Sequence, residues 1–180
     1  MENMHRCFIS IEFPKEVKEE IKKIRDEIPE FLGKKTEYEN LHLTLKFLGE
    51  IEDDKIEIIK KKLLGVKFKK LDCKLGSIGV FDETFIRIIW IKIEGCEEIQ
   101  KRIDEALKDI FGKEKRFMSH VTIARVKSVK NTRKFLKELG KIKFEEINFK
   151  IDRFCLMESI LKSEGAEYRT LECFREEKYS

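Results

Sequence analysis

Residues 41–50 read LHLTLKFLGE and residues 119–127 read SHVTIARVK. Each holds a histidine followed two places later by a threonine: His42-Leu43-Thr44-Leu45 and His120-Val121-Thr122-Ile123. Successive side chains of a strand point to opposite faces, so His42 and Thr44 share one face while Leu41, Leu43, Leu45 and Phe47 share the other. The same parity sets His120 and Thr122 against Val121 and Ile123. Both stretches therefore predict strands with a packed side and a polar side.

Working outward, the flanking elements also recur. The first half reads strand 5–13, helix 15–28 after Pro14, a loop containing Pro29 and Gly33, strand 41–48 closed by Gly49, helix 53–64 and an alternating stretch 66–76. The second half reads strand 84–93, helix 96–111, strand 119–126, helix 131–139 and strand 144–156. A shift of 78 residues superposes the two series within a few positions and carries His42 onto His120 and Thr44 onto Thr122. Periods of about 20 to 50 residues indicate solenoids. One long repeat in a chain of 180 residues indicates a duplication. The expectation is a single bilobal domain over 1–180, of α+β class, with two pseudo-symmetric lobes of antiparallel-rich sheets, helices packed outside and a cleft between them.

Composition narrows the function classes. Lys and Arg number 39 against 35 Asp and Glu, leaving a net charge of +4. That balance permits an anionic partner without requiring one. Many Lys and Glu beside a single glutamine, Gln100, and four asparagines match the make-up of heat-adapted proteins. No long apolar run and no signal-peptide pattern is present, which predicts a soluble cytoplasmic protein. Cys7, Cys73, Cys96, Cys155 and Cys173 are odd in number and scattered, and are read mainly as reduced core residues. No glycine-rich phosphate loop appears, so nucleoside triphosphate chemistry is unsupported.

Two histidine and threonine faces meeting across one cleft suit phosphoryl chemistry. Imidazole titrates near neutrality, so one ring can be protonated while the other is neutral. In-line displacement at phosphorus needs a base for the attacking water and an acid for the departing oxygen. The threonine hydroxyls could hold non-bridging oxygens. A lone strand histidine is more often structural, but the duplicated occurrence favours function. A metal site fits less well, because neither histidine has a carboxylate or cysteine at ligand spacing. His5 has no counterpart in the second half and is read as a strand-start or surface residue.

The two H-x-T-x motifs, with the flanks LHLTLKFLGE and SHVTIARVK, the opening RCFISIEFP and the closing stretch from Leu156 to Leu171, resemble the 2H phosphoesterase superfamily. The likeness is specifically to its RNA 2′,3′-cyclic phosphodiesterase branch, the LigT-like or 2′-5′ RNA ligase proteins. The resemblance implies a cofactor-free enzyme that opens a terminal 2′,3′-cyclic phosphate on RNA, tRNA fragments among the substrates, to a 2′-phosphate, acting as a monomer. His42 would be the proton donor to the 3′ oxygen and His120 the acceptor from water. Thr44 and Thr122 would bind the phosphate, joined by Arg125. Strict alternation places Arg125 away from His120, so its contact requires a bulge or twist.

The resemblance equally covers a 2′-5′ ligase joining cyclic-phosphate and 5′-hydroxyl ends. A non-catalytic RNA-end binding module is the reading from another class. Phe47, Phe117, Trp90 and Tyr168 are candidates for stacking on a base, although most of the 14 phenylalanines are expected in the core. Of the basic runs, Lys60 to Lys62, Lys67 to Lys70 and Lys113 to Arg116, the last is the best placed to steer an RNA backbone.

Overall fold

The computed structural model describes residues 4–163 and 165–177. Among them, β1 (Met4–Glu12), α1 (Lys15–Asp26), β2 (Leu32–Lys35), β3 (His42–Glu52), α2 (Asp53–Leu64), β4 (Leu71–Val80) and β5 (Ile88–Glu94) follow in order. Then come α3 (Glu97–Ala106), β6 (His120–Ser128), α4 (Thr132–Leu139), β7 (Asn148–Ile151), β8 (Arg153–Lys162) and β9 (Gly165–Arg175). The strands pair antiparallel in the order β7-β4-β5-β6-β3-β1-β8-β9, with β2 beside the second part of β6.

The centre of this sheet is its thinnest join. β3 meets β6 through one residue pair, Leu43 opposite Val121, with β1, β8 and β9 beyond β3 and with β5, β4, β7 and the short β2 on the side of β6. The two parts of the sheet are not the two halves of the chain: β4, from the first series, lies beside β5 on the β6 side, and β8, at the end of the second, lies beside β1. All four helices press on one face of the sheet. Val17, Ile21 and Ile24 of α1, Ile59 and Leu63 of α2, Ile99 and Ile103 of α3, and Phe135 and Leu139 of α4 enter one apolar cluster with the inward residues of the strands. Their spacing of three or four residues is what a one-sided helix requires. The helices also cross the join: α3 packs on β3, and α1 on β6.

Several boundaries differ from the sequence reading. β2 falls where a loop was expected. The expected strand 84–93 begins only at Ile88, and 144–156 is broken at Asp152 between β7 and β8. Gly49 does not close β3. It sits at φ +81° inside the strand, where the pairing skips Leu48, and β3 continues to Glu52. The cysteines also divide. Cys7, Cys73 and Cys96 are buried and free, as expected, whereas Cys155 and Cys173 form a disulfide. The register of the β8–β9 hairpin sets these two opposite each other with Cα atoms 4.0 Å apart. No helix among the described residues is long and apolar enough to cross a membrane.

Candidate active site

The face of the sheet away from the helices carries the motif side chains. Through their first nine residues β3 and β6 show the same succession of burial: half-buried His, buried, half-buried Thr, two buried, exposed, buried, two exposed. The two consecutive buried positions mark a break in alternation. β1 pairs Ser10 with Thr44 and Ile9 with Lys46, skipping Leu45; β5 pairs Trp90 with Thr122 and Ile89 with Ala124, skipping Ile123. Each skipped residue is a β-bulge that returns the strand to the opposite parity. Phe47 and Arg125, assigned by strict alternation to the packed face, are therefore turned to the side of the histidines. The bulge on which the Arg125 assignment depended is present.

Thr36 braces the second bulge. Its backbone N–H donates to the carbonyl of Ile123 at 2.9 Å and its hydroxyl to the carbonyl of Thr122 at 2.9 Å. Arg25 in turn donates to the carbonyl of Thr36 at 2.6 Å.

Because Leu43 and Val121 face each other antiparallel, one step along either strand brings His42 level with Thr122 and Thr44 level with His120. The two rings are held alike. His42 Nδ1 lies 2.7 Å from the carbonyl of Asn40, and His120 Nδ1 lies 2.7 Å from that of Met118, two residues earlier in each case. A carbonyl only accepts, so Nδ1 carries the hydrogen and the neutral ring keeps its lone pair on Nε2. His42 Nε2 is 3.0 Å from Thr44 Oγ1, whose hydroxyl donates to the neutral ring.

Burial pushes the His42 pKa down to about 4. The bond to Asn40 works in the opposite sense, and the charges of Lys18 and Arg125 add to the downward shift. Burial also lowers His120, against its bond to Met118. The register that sets Thr122 level with His42 carries Arg125, three residues further along β6, past the His42 end of β3.

Aromatic rings wall both histidines. Phe8 and Tyr168 lie 5.1 and 5.0 Å from the His42 ring, Tyr168 edge-on. Phe81 stands edge-on to His120 at 5.1 Å and packs 5.8 Å from Trp90. Of the four suggested stacking residues, Phe47 is 76% exposed beside the site, while Tyr168 and Trp90 border it. Phe117 instead packs against the main core. The basic runs are largely matched by acidic neighbours, with Lys60 on Glu57, Lys62 on Asp109, Lys67 on Glu177 and Lys113 on Glu105.

His5 is more than a surface residue. It bridges Glu158 at 2.5 Å and Asp53 at 2.7 Å, well away from the paired histidines. Sequence reasoning also passed over Thr36, Lys18, Phe8, Phe81 and the carbonyls of Asn40 and Met118. None carries a local motif, because their places depend on strand register. Among the described residues no three His, Cys, Asp or Glu side chains converge in a way that could hold a metal ion.

The two central strands of an antiparallel α+β sheet thus present His and Thr pairs on one open face. The chain belongs to the LigT-like phosphoesterase family, whose model matches residues 11–90 and 93–168. Among curated proteins it is 35% identical, over 92% of its length and 98% of theirs, to the RNA 2′,3′-cyclic phosphodiesterase of Methanocaldococcus jannaschii. It is 34% identical to the protein of that name from Thermotoga maritima, over 93% of this chain and 94% of that one. Two solved structures share the fold. Escherichia coli LigT in apo form gives a TM-score of 0.80 at 20% identity, over 98% of this chain and 99% of that one. TT0787 of Thermus thermophilus gives 0.79 at 24% identity, over 94% and 97%.

Proposed function

We propose that the protein hydrolyses the terminal 2′,3′-cyclic phosphate of RNA to a 2′-phosphomonoester, using His42 and His120 as acid and base without a divalent ion. The observation that carries this reading is the matched tautomer of the two rings, each with Nδ1–H tied to the carbonyl two residues back and its lone pair on Nε2. Names of the curated relatives supply the substrate class, and the superfamily likeness supplies the direction of proton transfer.

In this reading the phosphate sits over the Leu43 and Val121 join, with its non-bridging oxygens on the hydroxyls of Thr44 and Thr122 and the guanidinium of Arg125. His120 Nε2 takes a proton from water as the water oxygen bonds to phosphorus. On the far side the bond to the 3′ oxygen breaks, and His42 Nε2–H protonates it. The 2′ ester bond is kept. A histidine held down near 4 is a poor proton store in the free protein. The bound phosphodiester anion offsets the charges of Arg125 and Lys18 and raises that pKa when the acid is needed. Phe47, exposed on the same face, offers a flat apolar surface to the terminal base.

The test is turnover of an oligonucleotide bearing a 2′,3′-cyclic phosphate. His42→Ala and His120→Ala should each lower kcat by about 10³-fold. Activity at the parent's level in both variants contradicts the proposal.

A further inference from the structure

We propose that Asp104 is a positioning residue which, by holding Lys46 inside the core, keeps the bulge at Leu45 and so keeps Phe47 on the catalytic face; the inference rests on the reading of that face given above. Lys46 and Asp104 are each 5% exposed and Gln100 3%, a charged and polar group buried in the protein. Lys46 Nζ donates to Asp104 Oδ1 at 2.5 Å and to the carbonyl of Gly112 at 2.8 Å. Asp104 Oδ2 accepts from Gln100 Nε2 at 2.9 Å and from the backbone N–H of Glu114 at 2.8 Å.

Two of the three Nζ hydrogens and both carboxylate oxygens thus have partners, and such bonds are what a buried ion pair needs to offset its desolvation. Burial alone would push the Asp104 carboxyl up, but these donors, Lys46 foremost, hold it below its ordinary value.

What the pair opposes is visible in the local pattern. Without the bulge, alternation would run His42, Thr44, Lys46 on the open face and Leu43, Leu45, Phe47 in the core. That arrangement puts the phenylalanine inside and the lysine outside, the order that hydrophobic patterning prefers. The bulge reverses it, burying Lys46 and leaving Phe47 in solvent. In β6 no such conflict exists, because the equivalent bulge buries Ala124 and exposes Arg125. One bulge is favoured by its own side chains, and the other needs a carboxylate beneath it. That carboxylate comes from α3, the helix packed on β3 from the opposite half of the chain.

The two partners should therefore respond differently. In Asp104→Asn the cation loses its counter-charge, the strand relaxes to regular alternation, Lys46 enters the site face and Phe47 leaves it; kcat/KM for an RNA cyclic phosphate should drop by about 10²-fold. In Lys46→Met the apolar side chain stays inside, the bulge survives, and kcat/KM should stay within about threefold of the parent while the melting temperature falls. The double variant K46M/D104N should recover the activity lost in D104N.

A substrate-free readout accompanies these: acylation of lysines in the folded protein, mapped by mass spectrometry. Lys46 should be protected in the parent and labelled in D104N. Equal losses of activity in K46M and D104N, or Lys46 labelled in the parent at the rate of surface lysines, overturn the proposal. Turnover by the parent tests the reading of the site separately, because the acylation pattern does not depend on any substrate.

Discussion

At each motif histidine a single bond decides what the ring can do. Tying Nδ1–H to the carbonyl of Asn40 or Met118 fixes the tautomer and aims Nε2 at the open face. Both rings are held below the ordinary imidazole value in the free protein, His42 at about 4. An acid and base pair drawn from such rings should give a kcat/KM optimum on the acid side of pH 6.5, with limbs that belong to the pair. The profile of kcat, which reports the complex, should lie at higher pH because bound phosphate raises His42. Coincident profiles with an optimum above pH 7 contradict this account. Arg125→Gln should raise KM by about 10-fold or more, the loss of a charge-assisted contact. It should also move the His42 titration upward in an NMR experiment, because Arg125 is one of the charges pressing it down. The histidines and threonines were legible from parity alone. Phe47 and Arg125 were not, because a bulge is a property of the pairing between strands and leaves no mark in one strand's alternation.

Elements on the rim of the site are fastened by contacts distant in sequence. The β8–β9 hairpin carries Tyr168 to the edge of the His42 ring and is tied by the Cys155–Cys173 disulfide. It is also tied by Glu158, which meets Arg169 at 2.6 Å and His5 at 2.5 Å. Replacing both cysteines with alanine should lower unfolding free energy by about 2–4 kcal/mol in a denaturant titration. His5 adds a pH dependence of known sign. Its bond to Glu158, opposed by burial and joined by the bond to Asp53, raises its pKa above the ordinary value. The stabilisation is therefore full below the unfolded pKa near 6.5 and is lost as pH rises through the higher folded value. His5→Asn should thus destabilise most at pH 5 to 6, with a gap from the parent that narrows above neutrality. A constant gap across that range argues against a protonated clasp. Helices α1, α2 and α4 were legible within a few residues from their apolar spacing. β2 was not, since Leu32–Lys35 has neither alternation nor length and becomes a strand only by lying against β6.

For the whole molecule the 78-residue correspondence is the organising feature. Residues Leu43 and Val121, which it relates, form the central pair of the sheet, and Leu45 and Ile123, which it also relates, form the two bulges. We propose that the halves arose by duplication and that later divergence gave one of them Phe47 over Lys46 and the other Arg125 over Ala124. That divergence supplies the asymmetry a directional reaction needs: an apolar surface on one side of the phosphate and a cation on the other. The α+β class was readable from the recurring elements; the single sheet joined at one residue pair, with β4 and β8 placed across that join from their own series, was not, because a one-residue pairing has no signature in composition or period. The decisive measurement is product analysis of an RNA oligonucleotide ending in a 2′,3′-cyclic phosphate, incubated with the protein in excess chelator. The parent should convert it to the 2′-phosphomonoester, and His42→Ala and His120→Ala should do so about 10³-fold more slowly. A 3′-phosphate product, or turnover that stops in chelator, would contradict the proposed reaction.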